Sequence, residues 1–271
     1  MKHALVCLAA VLCHAASPVV TRVEPPNWPA ASRPTTLRLL LTGENLSGAR
    51  VSGCNAGEVR DGASAHYLFV DVTVASAGEC TLQLTTAGGT TSARFNVVAA
   101  LPPEQRFQGF SPDDVIYLIM PDRFADGDPS NDDPAVSHGL FDRGKPRYYH
   151  GGDLAGIEQH LPYLRDLGVT ALWLTPVYDN TNRLNERERD NGKPVTDYHG
   201  YGAVDFYAVD EHLGTLDSLR RLVDTAHGLG LKVIQDNVCN HTGPYHPWVM
   251  QPPTATWYHG TEASHINETW Q

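Results

Sequence analysis

The stretch Leu231-Lys-Val-Ile-Gln-Asp-Asn-Val-Cys-Asn-His241 is the reference point for interpreting this chain. Two glycines lead into its short apolar run, Leu231 to Ile234. A carboxylate, an amide and an imidazole then follow: Asp236, Asn240 and His241. A buried strand with such groups at its end is typical of the C-terminal mouth of a parallel barrel. Taken alone, the stretch also fits a strand followed by a polar turn.

The upstream sequence favours the barrel interpretation. Val115 to Met120 and Val169 to Leu174 are continuous apolar runs, as expected of strands buried on both faces. Asp153 and Thr215 each precede apolar residues spaced three and four apart, which predicts two capped helices. Strands that alternate with helices predict a parallel βαβαβ unit, so the fold class is α/β.

Residues 18 to about 100 have a different pattern, in which apolar and polar residues alternate and glycines mark the turns. The strand-like segments are Leu37–Leu41, Tyr67–Val74, Cys80–Leu84 and Ala93–Val98. Strands at this spacing predict a small all-β immunoglobulin-like sandwich. We therefore expect an N-terminal β-sandwich domain over 18–103 and an α/β domain over 111–271.

Composition excludes some functional classes. The chain has 271 residues, a formal net charge of -11 and 20 Lys+Arg. The basic residues between Arg183 and Arg189 alternate with Glu186 and Glu188, so no basic patch for nucleic acid is predicted.

Residues 1–17 are interpreted as a signal peptide. Lys2 and His3 precede a largely apolar run with small residues near Ser17, and the run is too short to span a bilayer. A buried N-terminal strand is the alternative. We expect an exported protein, periplasmic or secreted.

Export would permit a disulfide. Cys54 and Cys80 lie in the same predicted domain, and whether they pair is open. Cys239 is predicted to be a buried free thiol.

Two loops carry candidate binding residues. The first, Pro121 to Asp133, offers four oxygen side chains within seven positions: Asp126, Asp128, Asn131 and Asp132. Calcium takes six to eight oxygen ligands, so this loop is either a cation site or a solvated turn. The second, Asp197 to Asp205, places two tyrosines and a histidine around glycine. It is either a sugar-stacking surface or a loop with a packed tyrosine.

Five segments occur in an order and at spacings that resemble the α-amylase superfamily of glycoside hydrolases (glycoside hydrolase family 13). They are Tyr117–Asp132, Gly151–Leu154, Gly168–Pro176, Tyr198–Tyr201 and Asp236–His241. More narrowly, the chain resembles exported neopullulanases and cyclomaltodextrinases. Val23–Trp28 and the β-domain are similar to that group's N-terminal domain, and His246–Val249 fits as well.

The resemblance implies roles for individual residues. It implies a structural Ca²⁺ held by Asp126, Asp128, Asn131, Asp132, the Gly151 carbonyl and Asp153. It implies that Tyr201 stacks on the sugar beside the scissile bond. His241 would hydrogen-bond that sugar and stabilise the transition state, and Asp236 would help to shape the site. For Asn240 we expect a structural role.

The resemblance also implies a retaining mechanism, with an aspartate nucleophile and a glutamate acid/base about 5 Å apart. Those residues belong to later strands, and their Gly-x-Arg-x-Asp and His-Asp motifs do not occur in this sequence. A closed barrel has eight strands and three are visible, so we interpret 111–271 as the front part of a (β/α)8 TIM barrel. The chain alone is predicted to be inactive.

The expected partner is an α-glucan: starch, pullulan, cyclodextrin or maltodextrin. Neither nucleic acid binding nor a membrane span is expected, and a homodimer of the full-length protein stays open. Two other hypotheses remain: a non-catalytic α-glucan-binding protein that uses the β-domain and Tyr201, and a calcium-stabilised structural module.

Overall fold

The computed structural model describes residues 16–31, 33–102 and 109–259. Most of the predicted signal peptide therefore lies outside the described residues. The described chain forms two compact units. The first contains the residues up to 102 together with 252–259, and the second contains 109–251. The predicted domain boundaries, 18–103 and 111–271, stay predictions.

The first unit is a sandwich of two four-stranded sheets, as predicted. Its strands are β1 (Val19–Glu24), β2 (Asn27–Pro29), β3 (Thr35–Glu44), β4 (Arg50–Ser52), β5 (Ala56–Asp61), β6 (Tyr67–Val74), β7 (Gly78–Thr86) and β8 (Gly89–Val98). One sheet has the order β1-β3-β6-β5 and the other β2-β8-β7-β4.

Alternating side chains of both sheets fill the sandwich core. Leu39 and Leu41 of β3 are fully buried with Leu82 of β7 and Phe95 of β8. Each such side chain stabilises the fold by about 1.5 to 3 kcal/mol relative to exposure. Polar residues at the intervening positions face solvent, which is the period-two pattern of the sequence.

Two further features tie this unit together. Cys54 and Cys80 form a disulfide, which answers the question that the sequence left open. The segment 252–259 packs on β6 and its preceding turn. The Pro253 carbonyl accepts the Ala63 N–H at 2.8 Å, and the Trp257 ring lies 6.3 Å from the Phe69 ring.

The second unit has alternating strands and helices. In chain order its elements within the described residues are β9 (Ile116–Ile119), α1 (Leu154–Asp166), β10 (Ala171–Leu174), β11 (Tyr178–Asn180), β12 (Asn185–Asp190), β13 (Lys193–Val195), β14 (Ala203–Val209), α2 (Leu216–Gly228), β15 (Lys232–Gln235) and α3 (Pro247–Met250). β9, β10 and β15 form the predicted parallel sheet, in the order β15-β10-β9.

Both predicted helix caps are confirmed. The Asp153 carboxylate accepts the Gly156 N–H at 2.6 Å, and the Thr215 hydroxyl accepts the Ser218 N–H at 3.1 Å. Such caps satisfy backbone donors that the first helical turn leaves without partners. The apolar faces of α1 and α2 then pack on Leu172 and Leu174 of β10 to form the core of this unit.

Burial of β9 on both faces was predicted, and this prediction is wrong. Ile119 is buried, but Leu118 is 57% exposed and Trp173 of the neighbouring strand is 41% exposed. Side chains of α1 and α2 pack with Leu172 and Leu174, whereas Leu118 and Trp173 lie on the opposite face of the sheet and are exposed. β9 is also an edge strand, because it pairs with β10 on one side only.

The segment between β10 and α2 contains two strand pairs. β11 pairs with β14, and β12 with β13, both antiparallel. The second hairpin turns at Asn191 and Gly192, with φ of 50° and 76°. An Asn-Gly pair with positive φ is the usual signal for a tight hairpin, so the sequence contained it. Cys239 is exposed rather than buried, since it follows the strand end.

Candidate functional site

The C-terminal end of the parallel sheet brings together three residues predicted from sequence: Asp236, Tyr201 and His241. Asp236 follows β15, and its N–H donates to the Leu174 carbonyl at 3.1 Å. Its Oδ2 atom accepts the Tyr201 hydroxyl at 2.8 Å and the Trp173 Nε1–H at 3.3 Å. Burial, and then the Asp236 hydrogen bond, raise the pKa of the Tyr201 hydroxyl to about 12. The hydroxyl therefore keeps its proton at neutral pH and acts as a hydrogen-bond donor to Asp236.

The Tyr201 backbone is held on both sides by imidazoles. His241 Nε2 donates to the Tyr201 carbonyl at 3.0 Å, because a carbonyl oxygen only accepts. The Tyr201 N–H donates to His199 Nδ1 at 3.1 Å. The Tyr201 side chain nevertheless stays 38% exposed. The site therefore combines an oriented tyrosine ring, open to a ligand, with an imidazole and a carboxylate.

Tyr198 and His199 of the predicted aromatic loop lie beside this site, together with two arginines that were not predicted. The Tyr198 and His199 ring centroids are 5.3 Å apart, and the Arg123 guanidinium stacks 3.8 Å above the Tyr198 ring. Arg147 Nη1 donates to the Tyr198 hydroxyl at 3.3 Å. Arg123 directly follows the strand-end residue Asp122, and that position was the available sequence signal.

Asp122 is also at the mouth of the sheet and was not among the predicted residues. It is 1% exposed and accepts the N–H groups of His150 at 2.7 Å and Gly151 at 3.1 Å. It also pairs with Arg123. Burial raises the pKa of the Asp122 carboxyl to about 6, against the lowering effect of these partners. Asp122 thereby fixes the backbone at His150 and Gly151, and the Gly151 carbonyl is one of the predicted calcium ligands.

The Asp-rich loop folds around Asp153. One oxygen of this carboxylate accepts the Gly127 N–H at 3.1 Å, besides the helix-cap bond. The other accepts the Asp128 N–H at 2.8 Å and the Asn131 side-chain amide at 3.2 Å. Asp153 therefore joins the loop to the start of α1. Asp126 pairs with Arg143 at 2.8 Å.

Two oxygens of this loop are suited to a cation. Asn131 Oδ1 and Asp132 Oδ1 are buried, and neither has a hydrogen-bond partner. A Cβ on Gly151 would overlap Asp132 Oδ1. The absence of a side chain at Gly151 therefore leaves space beside this buried oxygen. Burial, and then Asp126, raise the pKa of the Asp132 carboxyl. Buried acceptors without donors, next to like charges, fit a hard cation such as Ca²⁺.

Family models match both parts of the chain. The model described as the N-terminal domain of cyclomaltodextrinase matches residues 22–99. The model described as the catalytic domain of α-amylase matches residues 118–263.

Curated relatives match about half of this chain. The chain is 44% identical over 131 residues to neopullulanase 2 of Thermoactinomyces vulgaris, covering 48% of this chain and 20% of the relative. It is 38% identical over 130 residues to the periplasmic α-amylase of Escherichia coli K12, covering 47% of this chain and 19% of the relative. A solved structure of an Anoxybacillus α-amylase is 44% identical to this chain, with a TM-score of 0.46. The match covers 55% of this chain and 28% of the Anoxybacillus chain.

The chain therefore spans about a fifth of the length of these two curated relatives. The α-amylase catalytic-domain model covers more than half of the 271 residues, from 118 to 263. On that match, the chain belongs to the α-amylase family.

Proposed function

We propose that the protein to which this chain belongs hydrolyses α-glucosidic bonds in α-glucans by a retaining mechanism. In this proposal, the described residues supply part of the sugar-binding site. The observation that carries it is the fixation of Tyr201 at three polar atoms, by Asp236, His199 and His241, while its ring stays open. The names of the α-amylase and neopullulanase relatives support the substrate class.

Each residue has a role in this proposal. The ring of Tyr201 stacks on the apolar face of a glucose unit, and aromatic side chains combine such a face with a polar edge. Asp236 fixes the ring by accepting its hydroxyl. His241 hydrogen-bonds the same sugar and stabilises the transition state. The proposal assigns neither the nucleophile nor the acid/base to a described residue, and it expects the chain alone to bind glucan without cleaving it.

Calcium has a structural role in the proposal. The buried oxygens of Asn131 and Asp132 lack donors, which supports a cation held with Asp126, Asp128, the Gly151 carbonyl and Asp153. A bound cation would neutralise the mutual repulsion of these carboxylates. The loop would then hold Asp122 and the start of α1 in place.

Export is proposed as well. It is supported by the signal-like pattern of residues 1–17 and by the periplasmic location of one relative. Within the described ranges, no helix is long and apolar enough to cross a bilayer.

Calorimetric titration with maltoheptaose tests the proposal. Tyr201→Ala should lower the affinity at least about tenfold, since stacking on an aromatic ring is typically a substantial part of such binding energy. Tyr163→Ala is the matched control, because Tyr163 is exposed on α1. Equal losses in both variants, or binding unchanged in Tyr201→Ala, would contradict the proposed site.

A further inference from the structure

We propose that Glu188, Asp197 and His199 form a second metal site, which takes a borderline transition cation such as Zn²⁺. Each residue offers one ligand atom, and these atoms lie within 4.8 Å of one another. His199 Nε2 and Glu188 Oε2 are 3.9 Å apart. Zinc binds imidazole nitrogen and carboxylate oxygen at about 2.0 to 2.2 Å. To bind one zinc ion, the three ligand atoms would therefore have to approach one another by only a fraction of an ångström to about an ångström.

An independent feature of Asp197 points to a ligand. Asp197 is 1% exposed, and its Oδ2 atom has no hydrogen-bond partner. Its Oδ1 atom accepts the Asn185 side-chain amide at 2.9 Å, which fixes the carboxylate. A side chain at Gly202 would crowd both oxygens. A buried acceptor without a donor is costly unless a proton or a cation satisfies it.

Asn185 also controls the position of Glu188. Its Oδ1 atom accepts the N–H groups of Arg187 at 3.1 Å and Glu188 at 3.0 Å. One buried amide therefore orients the Asp197 carboxylate and the backbone that carries Glu188. Such outer residues commonly hold metal ligands in place.

The donor set selects the kind of cation. Calcium takes six to eight oxygens, whereas this cluster offers two carboxylates and an imidazole. Such mixed nitrogen and oxygen sets suit zinc and its neighbours in the first transition row. Because Glu188 is exposed, water can complete the coordination.

Neighbouring groups both help and oppose this site. Glu188 and Asp210 add negative potential at Asp197. Arg123 and Arg147 face His199 and oppose a cation there. These two arginines have partners of their own, since Arg123 pairs with Asp122 and Arg147 donates to Tyr198.

Metal binding would affect Tyr201. The Tyr201 N–H donates to His199 Nδ1, so in the metal-free chain the ring proton is on Nε2. Zinc on Nε2 requires that the proton move to Nδ1, and the Tyr201 N–H then loses its acceptor. Zinc should therefore shift the Tyr201 amide resonance.

The test is calorimetric titration of the chain with ZnCl₂ at saturating Ca²⁺, in a Cys239→Ser background that removes the exposed thiol. We expect one zinc per chain and a loss of affinity of at least about tenfold in Glu188→Gln, Asp197→Asn and His199→Gln. Glu186→Gln is the control, because Glu186 is exposed on the same strand and pairs with Arg183 instead. It should bind zinc as the parent does.

Two readouts keep the test decisive. If Asp197→Asn fails to fold, the exposed Glu188→Gln and the Tyr201 amide shift still report on the site. Absence of zinc binding, or equal affinity in the parent and the ligand variants, would overturn the proposal. Zinc binding without a change at the Tyr201 amide would exclude His199 as a ligand.

Discussion

The Tyr201 hydroxyl donates a 2.8 Å hydrogen bond to Asp236 Oδ2. The two residues are 35 positions apart, and the bond joins a loop to the end of β15. A hydrogen bond to a charged partner contributes about 1.5 to 3 kcal/mol. The strand end therefore sets the orientation of the tyrosine ring on which the proposed sugar site depends.

The first prediction concerns this bond. Asp236→Ala should lower maltoheptaose affinity about tenfold, because the Tyr201 ring loses the acceptor that orients it. Calorimetric titration measures the loss. Asp217→Asn, an exposed change on α2, is the control and should bind normally. If Asp236→Ala binds as tightly as the control, orientation by Asp236 is not needed for binding.

The second prediction concerns calcium. Chelation should lower the melting temperature of the chain, because the carboxylates around Asp132 then repel one another in a partly buried loop. In Asp132→Asn, the calcium affinity should fall at least about tenfold, since a charged ligand is lost. Calorimetry and thermal unfolding with and without chelator measure both effects. Asp166→Asn, at the exposed end of α1, should respond to chelation as the parent does.

The third prediction concerns the pH dependence of stability. Burial, and then Glu211, raise the pKa of the Asp179 carboxyl from 3.8 to about 7, and Asp210 and Asp205 act in the same direction. Asp179 Oδ1 and Glu211 Oε2 are both buried without partners. Since the folded pKa lies above the unfolded one, the stabilisation by protonated Asp179 is fully present below about pH 4. It is lost as the pH rises through about 7.

Asp179→Asn should remove this dependence. At pH 8 we expect the variant to be more stable than the parent by about 1 to 2 kcal/mol, a value reduced for the partial exposure of Asp179. The difference should shrink steadily between pH 7 and pH 4. Urea unfolding at several pH values measures it. A difference that does not change with pH would show that Asp179 is ionised throughout this range.

The fourth prediction concerns catalysis. The purified chain should release no reducing sugar from starch, pullulan or cyclodextrin, because we propose that the described site lacks the nucleophile and acid/base pair on which retaining hydrolysis depends. A reducing-sugar assay over long incubation tests this. Activity above that of a Tyr201→Ala, His241→Ala double variant would mean that the chain supplies a nucleophile of its own.

Local features of the fold were predictable from sequence. Asp153 and Thr215 are caps because short polar side chains satisfy the first turn, which depends on neighbouring residues only. The strands around Leu172 and Val233 follow from short apolar runs that each come after a glycine. The Asn191-Gly192 turn carried an equally local signal, but the charged residues around it hid the hairpin.

Features that depend on distant contacts were not predictable. Arg123 stacks on Tyr198, 75 positions away, and no periodicity encodes that contact. The burial of Asp122 depends on the return of the chain at His150 and Gly151. The exposure of Leu118 depends on which elements cover the sheet. Such facts belong to the assembled unit, and local sequence does not contain them.

The most direct test of the proposed sugar site at Tyr201 is a crystal structure of the chain with maltoheptaose. We predict a glucose ring stacked on the Tyr201 ring, with a sugar hydroxyl within hydrogen-bonding distance of the His241 imidazole. An oligosaccharide bound elsewhere, with the Tyr201 ring uncovered, would contradict it.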